Sequence, residues 1–228
     1  SKLYTGGPDV RLRQEWILGV GGVRVLRALG IAPAAWHANE GHAAFMLVER
    51  VREYMAAGLS YEVAAVKVRA SSVFTTHTPV PAGHDRFPEP LLRRYFADAA
   101  AWLGIPWERF LALGRVGGET EFNMTVLGIR MSAFRNAVSR LHGEVSRRLL
   151  GASWPGLLPD EVPVTHVTNG VHLATWTAPA LGRVLGAGDR SVVADDFSAR
   201  AADVDLDALW AARTSARRAT LAAVRRHV

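Results

Sequence analysis

Apolar residues recur at helical spacing in some stretches of the chain and as short β-branched or aromatic runs in others. Between residues 10 and 29, Leu12, Trp16, Val20 and Val23 fall at steps of three and four, the stripe of an amphipathic helix that Gly30 ends. Gly19 and the pair Gly21-Gly22 lie inside that helix, either weakening it or marking close packing. A short apolar run at 34–37, with Pro33 before it, predicts a strand. A helix over 42–57 follows, with Phe45, Val48, Val51 and Met55 on one side and Gly58 closing it. Ser60 caps a further helix through Arg69, and 72–76 is a strand of β-branched and aromatic residues.

The segment 78–86 holds Pro79, Pro81 and Gly83 and reads as a loop at a strand end. Helices are predicted at 89–103, 106–113 and 123–132, the last with Met124, Leu127 and Met131 on one face. A strand at 134–139, a helix at 141–150, a Gly/Pro-rich link at 151–163 and a strand at 164–167 come next, the strand running into the turn Thr168-Asn169-Gly170. Helices at 178–185 and 206–226 flank a polar stretch at 186–203. Strands separated by helices predict an α/β fold, a Rossmann-like parallel sheet flanked by helices. In such sheets ligands bind beyond the carboxyl ends of the strands. The loops after three predicted strands carry 37–42, 77–84 and 166–172, and seven of the eight histidines lie in or beside these segments and 135–142.

Composition narrows the function classes. With 228 residues, 49% hydrophobic and 21% charged, the chain has the balance of a globular protein and the length of one large domain or two small ones. No apolar stretch reaches the roughly 18 to 20 residues of a membrane span, and no basic-then-apolar leader opens the sequence, so a cytoplasmic protein without membrane attachment is expected. The absence of cysteine removes disulfides, thiolate metal sites and cysteine nucleophiles. The net charge of +6 is carried almost wholly by arginine, Lys2 and Lys67 being the only lysines. Arginine-for-lysine usage of this kind fits codon bias. The arginines are scattered without interleaved aromatics, so no nucleic-acid partner is expected.

Spacing argues against a metal site. His37 and His42, His77 and His84, and His166 and His172 are five, seven and six residues apart, none of them the helical i, i+4 pair of a zinc hydrolase. Glu40, Glu119, Glu121 and Asp85 could add oxygen ligands, but in no diagnostic pattern. Imidazoles, amides and carboxylates gathered at strand ends suit a hydroxyl-rich ligand instead, since each can orient a sugar hydroxyl. Asn39 and Asn169 sit in those same loops. No phosphate-binding loop or nucleophile elbow is present.

Several motifs in register then become recognisable: the segment 4–31, His37-Ala38-Asn39-Glu40-Gly41-His42, Phe74-Thr75-Thr76-His77-Thr78-Pro79, Phe122-Asn123-Met124-Thr125, Leu141-His142-Gly143-Glu144 and His166-Val167-Thr168-Asn169-Gly170-Val171-His172. Together they resemble the α-glucan (glycogen/maltodextrin) phosphorylase family, in its short bacterial form. The resemblance implies a two-domain GT-B type glycosyltransferase. Residues 1–176 would form the later half of the amino-terminal Rossmann-like domain and 177–228 the interdomain crossing and a helical segment. It implies retaining glucosyl transfer from an α-1,4-glucan or maltooligosaccharide to orthophosphate, releasing glucose 1-phosphate, in an enzyme that is a homo-oligomer and uses pyridoxal phosphate. His77 resembles the family histidine that contacts the glucosyl unit, and Asn169 the asparagine that hydrogen-bonds the sugar 6-hydroxyl. Glu40 and His42, with Asn39, fall where the family lines the cleft, and Tyr4 opens the segment that corresponds to its gate loop. The Schiff-base lysine of the family has no counterpart here, so no bound cofactor and no metal are expected in this chain, and it should be inactive alone. A non-catalytic glucan-binding or interaction module is the alternative.

Overall fold

The computed structural model of the chain describes residues 6–186 and 202–226. Two compact units divide it, Ser1–Asn169 and Gly170–Val228.

In the first unit, four strands form a parallel sheet in the order β1-β2-β5-β6: β1 Trp36–Asn39, β2 Ser72–Thr76, β5 Phe134–Ala137 and β6 Thr165–His166. Spatial order follows chain order, so right-handed crossovers put the connecting helices on one face of the sheet. The packing agrees. Arg50 of α3 (Phe45–Ala56) lies over the Trp36 ring at 4.8 Å, and Gly128 of α7 (Met124–Arg130) sits against Phe74. Gly143 of α8 (Arg140–Leu150) meets His166. Trp36, Ala38, Phe74 and Ala137 are buried on this face. The opposite face carries Val73 and Phe134 at one end and, toward the carboxyl end, polar side chains bonded across three strands. Thr75 Oγ1 donates to Asn136 Oδ1 at 2.8 Å and, having spent its single proton, accepts from His37 Nε2 at 2.6 Å.

The first predicted helix forms as α1 (Pro8–Trp16) and α2 (Gly22–Ala28), joined without a break by a π-helical turn at Ile17–Gly21. That turn shifts the stripe so that Leu12, Val20 and Val23 all reach the core. Gly19 makes the closest approach: a Cβ there would lie 2.7 Å from the backbone nitrogen of Met46 and 2.8 Å from Cβ of Phe45. Aromatic rings continue the core, Trp16 edge-on to Phe96 at 4.5 Å, Phe96 stacked on Phe45 at 4.6 Å, and Phe110 on Phe122 at 5.6 Å.

Between β2 and β5 the chain makes a long excursion through α5 (Glu89–Trp102) and α6 (Trp107–Ala112). Here the structure adds two strands that the sequence pattern does not predict. They are β3 (Arg86–Pro88) and β4 (Glu121–Asn123), which pair antiparallel and bring residue 85 beside the start of α7, where Met124 N donates to Asp85 O at 3.0 Å. The helix predicted from Asn123 starts one residue later because Asn123 is its cap, its Oδ1 accepting from Thr125 N and Val126 N. Between β1 and β2 lies α4 (Tyr61–Ala70), capped by Ser60 as predicted.

The second unit holds α9 (Leu173–Trp176), which the sequence pattern does not predict, and α10 (Pro179–Leu185) packed on α11 (Leu206–Arg225). Most of the predicted polar stretch at 186–203 lies outside the described residues.

Candidate ligand site at the strand ends

The site is built where β1 and β2 end side by side. The parallel ladder continues one residue past β1, with Glu40 N donating to Thr75 O at 2.9 Å. At Glu40 the backbone then turns sharply: among the described residues it is the one non-glycine with positive φ, at φ 67° and ψ 171°. That conformation is close to glycine-only and costs on the order of 1–3 kcal/mol. A helical turn at Gly41–Ala43 follows directly, and Gly41 packs so closely on the start of α7 that a Cβ would sit 3.0 Å from Thr125 N.

The strained turn aims the Glu40 carboxylate across to the end of β2. Its Oε1 accepts from the backbone N–H of His77 and from Thr78 N at 2.8 Å. Asn39, last residue of β1, reaches the same loop: His77 Nε2 lies 2.6 Å from Asn39 Oδ1. Because an amide oxygen can only accept, the neutral His77 ring carries its proton on Nε2 and presents a lone pair at Nδ1, with Asn39 assigned in this orientation. Asn39 and His77 are both exposed, and Glu40 and His42 are half-buried. Four of the predicted residues, Asn39, Glu40, His42 and His77, are therefore gathered around two adjacent strand ends.

Beside them lies a cavity of about 250 Å³ lined by Arg11, Glu40, His42, Thr78, Asp85 and Thr125. Burial lowers the pKa of His42, and the Arg11 charge adds to that effect, which keeps the ring neutral. Arg11 grips Asp85 with two bonds, Nε to Oδ1 at 3.2 Å and Nη2 to Oδ2 at 2.7 Å. Burial works to raise the Asp85 pKa, but hydrogen bonds from Arg11 and Glu15 and the Arg11 charge outweigh it and hold the carboxyl below its usual range. Glu15 behaves oppositely. It is 1% exposed, and burial, then the hydrogen bond and charge of Asp85, push its pKa up to about 9. His84, buried behind the cavity, sits 2.5 Å from Thr125 Oγ1 through Nδ1, and burial lowers its pKa too.

Asn169 follows β6 at the same carboxyl end of the sheet, exposed, with its N–H donating to Val138 O at 3.1 Å. Two strand spacings, about 10 Å, separate the ends of β2 and β6. Tyr4 lies outside the described residues. His37 is not a loop ligand but part of the polar ladder on the sheet face. Arg11 and Glu15 are absent from the sequence prediction, although Glu15 could have been noticed as an acidic residue on the buried stripe, three positions after Leu12.

The described residues contain no group of three or more His, Asp or Glu side chains placed to hold a metal ion. Lys67, on the last turn of α4, is exposed and lies 5.4 Å over the Tyr54 ring. It leads into the amino end of β2, the end of the sheet opposite the cavity, and does not fit a cofactor-bearing lysine. No described helix is long and apolar enough to cross a membrane.

No family model matches the chain. Relatives are found by direct comparison. A glycogen phosphorylase of Mycobacterium tuberculosis is 44% identical over 95% of this chain and 27% of its own length. A maltodextrin phosphorylase of Thermococcus litoralis is 48% identical over 76% of this chain and 20% of its own length. A glycogen phosphorylase of Aquifex aeolicus is 35% identical over 81% of this chain and 26% of its own length. The chain spans about a quarter (27%) of the length of the relatives that match it along most of its course. The chain is a homologue of the glycogen and maltodextrin phosphorylases and corresponds to a segment of that family.

Proposed function

We propose that this chain forms one wall of the glucosyl site of an α-1,4-glucan phosphorylase, an enzyme that moves a glucosyl unit with retention from glucan or maltooligosaccharide to orthophosphate and releases glucose 1-phosphate. The observation that carries the reading is the strained Glu40 turn, whose carboxylate ties the end of β1 to the amides of His77 and Thr78. Backbone strain of this kind persists where the surroundings over-determine it, and it clusters at ligand sites.

In this reading His77, oriented through Nε2 by Asn39, faces the glucosyl unit, and a neighbouring backbone carbonyl favours positive charge developing at the anomeric carbon. Asn169 binds the sugar 6-hydroxyl. His42, kept neutral by burial, and Glu40 line the cleft beside the sugar. Tyr4 belongs to a gate segment ahead of α1. Residues 1–176 then belong to the amino-terminal domain of a GT-B enzyme and 177–228 to the crossing toward its second domain. The whole enzyme works in the cytoplasm as a homo-oligomer.

Pyridoxal phosphate supplies acid/base chemistry in the family through its phosphate group. Lys67, exposed over the Tyr54 ring, is placed wrongly to hold it. A glucan-binding module without catalysis is the second reading.

Two measurements test these readings. The chain incubated with maltodextrin and orthophosphate should release no glucose 1-phosphate; turnover like that of a complete enzyme would sink the wall-only reading. Calorimetric titration with maltooligosaccharide should show millimolar or tighter binding that His77→Ala and Asn169→Ala abolish. Binding indifferent to both substitutions would refute the assigned contacts.

A further inference from the structure

Glu15 has an anomalous environment. Its side chain is 1% exposed, and neither carboxylate oxygen receives a well-directed N–H from the described residues. Arg11 Nε approaches Oε1 at 3.0 Å, but its N–H is directed to Asp85 Oδ1 at 3.2 Å. The carboxyls of Glu15 and Asp85 thus meet at one guanidinium nitrogen, with Glu15 Oε1 and Asp85 Oδ1 at 3.0 and 3.2 Å from Arg11 Nε. Two ionised carboxylates would repel each other there and compete for one N–H in a buried place, whereas a proton on one of them turns the repulsion into a hydrogen bond.

We propose that Glu15 is a positioning residue of the cavity, a neutral carboxylic acid whose O–H donates to the Asp85 carboxylate and thereby holds the Arg11–Asp85 pair on the cavity wall. The use of this device in ligand binding rests on the reading of the cavity as part of a glucan site. The proton arrangement itself does not.

The surroundings leave Asp85 as the acceptor. Arg11 lies one turn before Glu15 on α1, and Asp85 comes from the loop after β2. Beyond them, His42 and Glu40 come from the turn after β1, His42 acting on Asp85 rather than on Glu15. From α5, packed on the same helix through Phe96 and Trp16, Tyr95 and Arg94 turn to Asp9 instead, at 2.6 and 3.7 Å. From α3, Glu49 is held by Arg24 and Arg52. With one proton on the carboxyl pair, the set Arg11, Asp85 and Glu15 is electrically neutral. Loss of that proton would leave a net negative charge behind the wall, repelling Asp85 from its place.

Carboxyl-carbon NMR of the chain labelled at Asp and Glu, followed from acid to alkaline pH, tests this without any ligand. The Glu15 resonance, assigned by its loss in Glu15→Gln, should titrate near 9 instead of the ordinary 4.5. Asp85→Asn supplies an amide donor and should bring that midpoint down. A Glu15 midpoint in the ordinary carboxyl range, or one that Asp85→Asn leaves unmoved, overturns the proposal. The Arg11 Nε–H signal gives a second readout. It should survive in Glu15→Gln, which keeps a donor, and its loss in that variant would overturn the proposal as well. Failure of glucan binding with the Glu15 midpoint still near 9 would indict only the proposed function.

Discussion

Replacing Glu40 in turn by glycine and by alanine separates the two things that residue does. Both substitutions remove the carboxylate that accepts from the amides of His77 and Thr78. Hydrogen bonds to a charged group contribute about 1.5–3 kcal/mol each in favourable cases. Partial exposure of Glu40 puts the loss at the low end, roughly 3 kcal/mol for the pair. Only glycine also relieves the backbone at φ 67° and ψ 171°, which costs on the order of 1–3 kcal/mol. Against that relief stands about 0.5–1 kcal/mol of extra chain entropy in the unfolded state. Glu40→Gly is therefore expected to be the more stable variant by about 1 kcal/mol, with both below the parent. Urea unfolding followed by circular dichroism measures this, provided the slopes of the three transitions agree. Equal midpoints for the two variants, or a more stable Glu40→Ala, would refute the claim that the turn is strained. Maltooligosaccharide binding should weaken in both, since relieving the strain does not restore the order of the His77 loop.

Other consequences can be checked in the same preparations. Gly19→Ala forces a Cβ to 2.7 Å from a backbone nitrogen and should cost about 1–3 kcal/mol, while Gly22→Ala, helical and with nothing within 4 Å, should stabilise by roughly 1 kcal/mol; similar midpoints for the pair would contradict the packing of α1 and α2 on α3. Because the folded chain raises the Glu15 pKa from 4.5 to about 9, it keeps a proton that the unfolded chain has lost across that window. Stability should thus be greatest below pH 4.5 as far as this group is concerned, and fall toward pH 9 with a slope of up to about 1.4 kcal/mol per pH unit. Glu15→Gln should flatten that slope, and denaturation midpoints across the range would show whether it does. For His42 and His84 the sign is opposite: with folded pKa values below 6.5, their neutral forms favour folding above that pH and lose the advantage as the solution is acidified. Histidine proton NMR should find both titrating below the ordinary range; normal midpoints would mean that neither ring is buried.

Much of this architecture is legible in the sequence because local signals and tertiary packing agree. The run 72–76 is rich in β-branched and aromatic residues, and it becomes β2 end to end. Ser60, Gly30 and Gly58 punctuate the helices where expected. The glycines inside the first helix carry two meanings in sequence, and only the structure distinguishes them: Gly19 is the point of contact with α3. The strands β3 and β4 escape because each has three residues, too few to display an alternating pattern, and their pairing spans an intervening pair of helices.

Recognition of the site divides in the same manner. Asn39, Glu40 and His77 are predicted by their place at strand ends, and neighbouring parallel strands bring them together. The positive φ of Glu40 has no sequence signal, since only glycine or asparagine would announce one. Arg11 and Glu15 are placed by helix packing, so their approach to Asp85, 74 positions from Arg11, is a tertiary fact. The nucleic-acid reading that a charge of +6 invites is weakened further by how the arginines are used. Arg24, Arg52, Arg86 and Arg115 are paired with carboxylates in the structure.

A residue-resolved titration of the chain with maltoheptaose, read by amide and imidazole NMR, bears most directly on the central claim that the ends of β1, β2 and β6 form the sugar-binding wall. The account predicts saturable shifts at Asn39, His77, Thr78 and Asn169, with α4 around Lys67 unmoved. Saturable shifts confined to α4 or to the second unit, with those four residues silent, would contradict it.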